Sequence, residues 1–267
     1  MILKSVWHKW LSGSLILLFL TACVSEGTGI NITKFKERSS SERKEEAVRI
    51  KTQLAIEYMN ARDYRSAVAT IEEAIKTDSR YDMAWLVRAQ IYQFLKTYDK
   101  AEESFKRALS ISPNGAEINN NYGWYLCSVQ HQAAQSITYF DRALADPTYP
   151  SPEIAYMNKG ICSAKAGQVQ MADSYFERAL GLNPDAVAVY KERARVQFQM
   201  GKLTEADKLF RIYQSRVPAL SPDDLLLGWK MARAQGNNQA AYEYEAQLRT
   251  NFPYSEETLS INTGNTE

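Results

Sequence analysis

"AWLVRAQIYQFLKTYDKAEESFKRALSISP", residues 84–113, carries the seven positions that decide the fold. Trp85, Ala89, Tyr92, Ala101, Phe105, Ala108 and Pro113 run bulky, small, aromatic, small, aromatic, small, proline. A shift of about 34 residues towards the N-terminus puts Leu54, Ala55, Tyr58, Ala67, Ile71 and Ala74 in the same roles. Towards the C-terminus, Tyr156, Gly160, Ala172, Phe176, Ala179 and Pro184 repeat the set, as do Tyr190, Ala194, Ala206, Phe210, Tyr213 and Pro218. A copy with Tyr122, Gly123, Phe140 and Ala143 lies between them and has a longer turn around "SVQHQ". A weaker last copy holds Gly228, Trp229, Ala241, Leu248 and Pro253.

The residue types have physical reasons. Small residues belong where two helices cross closely, because a larger side chain there would overpack. Aromatics fill the space between successive pairs, and proline stops the second helix of each. No pair hides its apolar face alone, so the pairs must stack. The pattern resembles the tetratricopeptide repeat. It predicts an all-α, right-handed superhelical solenoid of about six helix pairs over 46–254, with a tail at 255–267 that is either a capping helix or unstructured. "TYPSPE" at 148–153 reads as a turn between the third and fourth pairs, a domain boundary there being the alternative.

The chain has 267 residues, 45% hydrophobic and 24% charged, with a net charge of +1. Without a basic excess, nucleic acid is not an expected partner. Two histidines, His8 and His131, are too few for most metal or imidazole-base sites. No small-molecule substrate, cofactor or catalytic set is expected. The adjacent acids of "SPDD" at 221–224 read as a helix start, where carboxylates suit the dipole.

Residues 1–22 read as an export signal: Lys4 and Lys9, then the apolar core "LSGSLILLFL". A membrane-anchoring helix is the alternative, although the core is short for a span. "LTAC" at Leu20–Cys23 resembles the bacterial lipobox. That resemblance implies diacylglycerol and an N-acyl chain on Cys23, and several acyl chains anchor stably where one does not. Loss of two lysines takes the net charge from +1 to −1. The aspartate that marks inner-membrane retention in many such proteins is absent after Cys23, which favours a periplasm-facing position on the outer membrane. Residues 23–45 are polar and read as a tether, with the helical pattern beginning near Ser39–Glu42, an S-x-x-E capping candidate.

In a tetratricopeptide solenoid, positions 2, 5, 9 and 12–13 of each first helix face a concave groove. Here they carry Arg49, Ile56, Met59, Met83, Leu86 and Phe94 in the first two units and Trp124 in the third. Lys191, Arg195, Lys230 and Arg233 occupy them in the last two. The expectation is an apolar N-terminal end and a basic C-terminal end. A register shift would make the apolar residues core, and the cations are alternatively a solvated face. Cys127 and Cys162 lie in neighbouring first helices, close enough in the stack to bridge. A disulfide is expected in an oxidising compartment, two free buried thiols being the alternative.

Further stretches narrow the resemblance. "NNNYGWYLC", "ALADPTYPSPEIAYMNKGICSAK" and "DDLLLGWKMARAQGNNQAAYEYEAQL", together with the lipobox and six repeats, look like the type IV pilus biogenesis lipoproteins of the PilW/PilF family. The resemblance implies a pilotin that binds subunits of the pilus secretin near the first units. It also implies delivery by the lipoprotein transport machinery and a cysteine pair like Cys127 and Cys162. A periplasmic scaffold or co-chaperone that binds carboxylate-terminated peptides at the basic end is the other expectation.

Overall fold

The computed structural model describes residues 39–264. Cys23, the signal and most of the tether lie outside the described residues. Thirteen α-helices form among the described residues, in the order α1 (Ser40–Asn60), α2 (Tyr64–Thr77), α3 (Asp82–Phe94), α4 (Tyr98–Ile111), α5 (Ala116–Ser128), α6 (Ala133–Leu144), α7 (Pro152–Lys165), α8 (Val169–Leu182), α9 (Val187–Gln199), α10 (Leu203–Gln214), α11 (Pro222–Ala234), α12 (Asn238–Asn251) and α13 (Glu256–Thr263). Odd and even helices pair, and each pair packs on the next.

Within each pair, one contact recurs. A small residue of the first helix meets a large one of the second: Ala55 with Ile71, Ala89 with Phe105, and Ala194 with Phe210, all buried within shared apolar clusters. Where the small residue is glycine the approach is tightest. A Cβ at Gly160 would lie 2.6 Å from the Phe176 ring, one at Gly228 2.7 Å from Tyr244, and one at Gly123 3.0 Å from Phe140. The third pair absorbs its longer turn at His131, whose φ of 57° is left-handed; glycines take that conformation in the next three pairs.

α1 starts at Ser40, at the S-x-x-E capping signal, so residues 40–45 belong to a helix and not to the tether drawn as far as 45. Glutamate, arginine and lysine are good helix formers. An acid sits in the first turn, and Arg49 pairs with Glu46 at 2.7 Å, extending a helix whose apolar face begins only at Val48. At the other end Ser255 caps α13, and the Thr258 hydroxyl donates to the Phe252 carbonyl at 2.8 Å.

Cys127 of α5 and Cys162 of α7 are joined in a disulfide, with Cα atoms 5.9 Å apart, and Phe140 packs with them. α11 starts with a capping box. The Asp224 carboxylate accepts from the Ser221 N–H at 2.8 Å, and the Ser221 hydroxyl accepts from the Asp224 N–H. Asp224 is fully buried. It also accepts from the Tyr213 hydroxyl at 2.8 Å and lies 3.0 Å from the Lys191 ammonium. Burial alone would raise its pKa. The Ser221, Lys191 and Tyr213 donors outweigh burial and hold it below the usual carboxylate value.

Two stability predictions follow from this packing. Gly160→Ala should lower stability by about 1–3 kcal/mol, because the enclosed Phe176 ring cannot retreat. Gly181→Ala, with open space around it, should gain about 0.5–1 kcal/mol of helix propensity. Urea titration of both variants checks the pair, and a more stable Gly160→Ala would contradict the packing. Asp224→Asn should cost about 3 kcal/mol at pH 7, as for one partner removed from a buried ion pair. The carboxylate pKa is depressed in the fold. Its contribution is therefore complete above the unfolded value of about 3.9 and disappears as pH falls through the folded one. The stability gap between wild type and variant should thus narrow below about pH 4. A gap independent of pH down to complete protonation would exclude the assignment.

Candidate functional groove

The first helices α1, α3, α5, α7, α9 and α11 supply the groove positions. At its N-terminal end a cavity of about 420 Å³ lies against α1 and the start of α3, lined by Ile56, Met83, Tyr81, Thr52, Leu54 and Arg49. Ile56 and Met83 are half-buried there, and Arg49 stands at the mouth with its charge held by Glu46. Burial, then Asp82, raises the Tyr81 pKa, so the phenol is neutral.

The other apolar candidates separate. Met59 is half-buried and packs on the core of the first pair. Phe94, the last residue of α3, is 63% exposed and stacks on Tyr64 at the start of α2 at 6.3 Å, apart from the residues that line the cavity. Leu86 does not line the groove. It is 1% exposed, because stacking of the next pair encloses it with Ile118 and Tyr122. A residue at a groove-facing position of one helix can be sealed by its neighbour, which single-helix spacing does not reveal.

The cations at the other end are also not as expected. Lys191 lies 3.0 Å from Asp224 and 3.4 Å from Asp223, and Arg195 lies 2.7 Å from Asp223 and 3.3 Å from Glu192. Burial opposes both charges, but these carboxylates outweigh it and raise both pKa values. Lys230 is half-buried, while Arg233 is exposed with its guanidinium 5.7 Å from the Trp229 ring. Lys191 and Arg195 are therefore neutralised by the acids of "SPDD", which sit one repeat further along the chain and stack against them, whereas Lys230 and Arg233 are not.

Trp124 joins two further cavities. One, of about 420 Å³, is floored by Ile161, Ala164, Phe176 and Val196, with Arg195 on its wall. The other, of about 220 Å³, is polar and lined by Asn120, Asn121, Asn158, Glu117 and Tyr149. Burial, then Glu117, pushes the Tyr149 phenol far up, so it stays neutral. Asn120 and Asn158 were not singled out by sequence reasoning. Their signal is the polar run inside an otherwise apolar first helix, "NNNYGW" and "YMNKG". Among the described residues no group of histidine, cysteine, aspartate and glutamate is placed to hold a metal ion, and no helix is long and apolar enough to cross a membrane.

Comparison with known proteins agrees with this architecture. Residues 40–206 match the family described as the tetratricopeptide repeat protein 21 N-terminal ARM repeat. The crystal structure of PilW, described as a widely conserved type IV pilus biogenesis factor, is similar at 59% sequence identity and a TM-score of 0.76, over 80% of this chain and 98% of that one. The type IV pilus assembly protein PilF of Pseudomonas aeruginosa is 25% identical over 241 residues, covering 90% of this chain and 92% of the relative. A solved structure of the Pseudomonas protein shares the fold, with a TM-score of 0.73 at 23% identity over 83% of this chain. The chain thus belongs to the tetratricopeptide-repeat proteins of the PilW/PilF family of type IV pilus biogenesis factors.

Proposed function

We propose that the protein is an outer-membrane lipoprotein pilotin. Lipid on Cys23 anchors it, and the N-terminal end of the groove holds a segment of a secretin subunit, bringing that subunit to the membrane for multimer assembly. The observation that carries the reading is the accessible apolar surface of the first two pairs, Ile56 and Met83 in their cavity and Phe94 at the edge, in a chain of the type IV pilus biogenesis family. "LTAC" supports the anchor by its resemblance to a lipobox.

The energetics limit the mode of binding. Complete burial contributes about 1.5–3 kcal/mol for each such side chain. Three of them roughly match the cost of association. Recognition therefore needs further contacts, backbone hydrogen bonds among them.

Ile56→Glu and Met83→Glu should each weaken binding of the purified secretin subunit about tenfold or more, while the thermal melt of the body stays within a few degrees. Full binding by both variants would show that this end of the groove is not the contact. Cys23→Ala should leave the fold intact and deplete secretin multimers from outer-membrane fractions. Undiminished multimers in those fractions would remove the anchor from the mechanism.

A further inference from the structure

We infer that the turn edge of the first helix pairs lies against an anionic phospholipid bilayer, with Phe94, Leu95 and Tyr98 entering the interface and Arg62, Arg65 and Lys96 facing its phosphates. The inference rests on the reading of Cys23 as a lipid anchor. It adds which side of the body meets the membrane, by a surface separate from the groove.

The turn inside each pair contains one left-handed residue. In the last three pairs it is Gly167, Gly201 and Gly236. In the first three it is Arg62, Lys96 and His131, with φ of 60°, 55° and 57°. A side chain at such a position carries strain that glycine avoids. The turn itself does not ask for these residues, since glycine closes it elsewhere in the same stack. All three are exposed, and neither Arg62 nor Lys96 enters an ion pair among the described residues. Strain kept without a packing reason points to a role outside the fold. Beside Lys96, the side chains of Phe94, Leu95 and Tyr98 are exposed as well, and Phe94 stacks on Tyr64 of the preceding turn.

The chemistry of the edge favours a bilayer as its occupant. Phe94, Leu95 and Tyr98 line none of the cavities described above. Rings, an aliphatic chain and cations on projecting turns are the composition of a membrane interface, which asks for no matching shape. Each of the first two turns holds two cations against one acid: Arg62 and Arg65 against Asp63, and Lys96 and Lys100 against Asp99. Asp63 is occupied as the cap of α2, accepting from the Ser66 N–H at 3.1 Å. The turns between pairs, at the opposite edge, gather Asp78, Asp82, Glu117, Asp146 and Asp185 against Arg80 and Arg216. An anionic surface therefore attracts one edge and repels the other. The reach suffices. Residues 24–39 separate Cys23 from α1, a contour of about 55 Å, and α1 is about 30 Å long. Ile56 precedes the end of α1 by about 6 Å along its axis, so a docked edge holds the N-terminal cavity beside the bilayer.

The test uses the full lipidated chain, purified from membranes and reconstituted into vesicles of phosphatidylethanolamine and phosphatidylglycerol. A Leu95→Cys variant is labelled with an environment-sensitive fluorophore, the native sulfurs being held in the Cys127–Cys162 disulfide and the lipid linkage of Cys23. The same label at Asn114→Cys, exposed on the opposite edge, is the control. The Leu95 probe should shift to the blue and be quenched by a nitroxide on the lipid acyl chains, and the Asn114 probe should do neither. Adding Arg62→Glu/Lys96→Glu, or replacing phosphatidylglycerol by phosphatidylcholine, should reduce the quenched fraction about tenfold. Phe94→Ser/Tyr98→Ser should reduce it independently of charge. Both pairs change exposed side chains, so thermal melts should stay within a few degrees of wild type. Flotation with the vesicles reports the anchor separately. A chain that floats with the Leu95 probe in water, or with both probes equally quenched, overturns this inference and leaves the anchor standing. A chain that does not float overturns both. A Leu95 probe that is shielded only when purified secretin subunit is added assigns the edge to a protein and overturns the inference too.

Discussion

The structure depends on one contact repeated along the chain, a missing or minimal side chain on the first helix of each pair facing a ring or branched chain on the second. At Gly160 and Phe176 the approach leaves no room for a methyl group. That closeness sets the distance between the two helices, hence the angle at which the next pair must dock, hence the spacing of the first helices along the groove. The groove is therefore a consequence of packing on its opposite side.

Charge follows the same stacking. Lys191 and Arg195 on α9 meet Asp223 and Asp224 at the start of α11, the corresponding helix of the next pair. Asp224 serves at once as helix cap, hydrogen-bond acceptor for Tyr213 and counter-ion. A carboxylate that caps a helix must lie at its N-terminus. In a solenoid of this register that point faces the middle of the preceding first helix, so capping and neutralisation are one event. The positive field of α9 is offset as a result, while Lys230 and Arg233 on α11 take no part in that pairing.

What was legible in the sequence, and what was not, divides along the same line. Helix pairs, their order and the small–large contacts are properties of one unit and its period, and Trp85, Ala89, Phe105 and Pro113 display them openly. The burial of Leu86 needs the next pair, which brings Ile118 and Tyr122 over it. The pairing of Arg195 with Asp223 likewise joins residues from different units. The Asn120–Asn158 bond spans 38 residues, four more than the repeat, so periodicity alone does not align them. The start of α1 was legible in the S-x-x-E signal at Ser39–Glu42, although a tether bound drawn at 45 runs past it: the first turns carry no apolar face and look like tether composition.

The two ends of the groove also differ in constraint. The central first helices each have a neighbour on both sides, and α5 and α7 are additionally cross-linked through Cys127 and Cys162 beneath Trp124. α1 is the first helix among the described residues, and Ile50 and Leu54 on it remain 54% and 43% exposed. In a stacked array the stability of a unit comes largely from its interfaces, so a terminal unit is the one that opens or shifts most readily. An apolar cavity bounded by such a helix can adapt to the side chains it receives. A cavity between cross-linked helices has less freedom to change shape. The contrast lies in the packing itself: the cross-linked centre holds its side chains in one arrangement, and the N-terminal end does not.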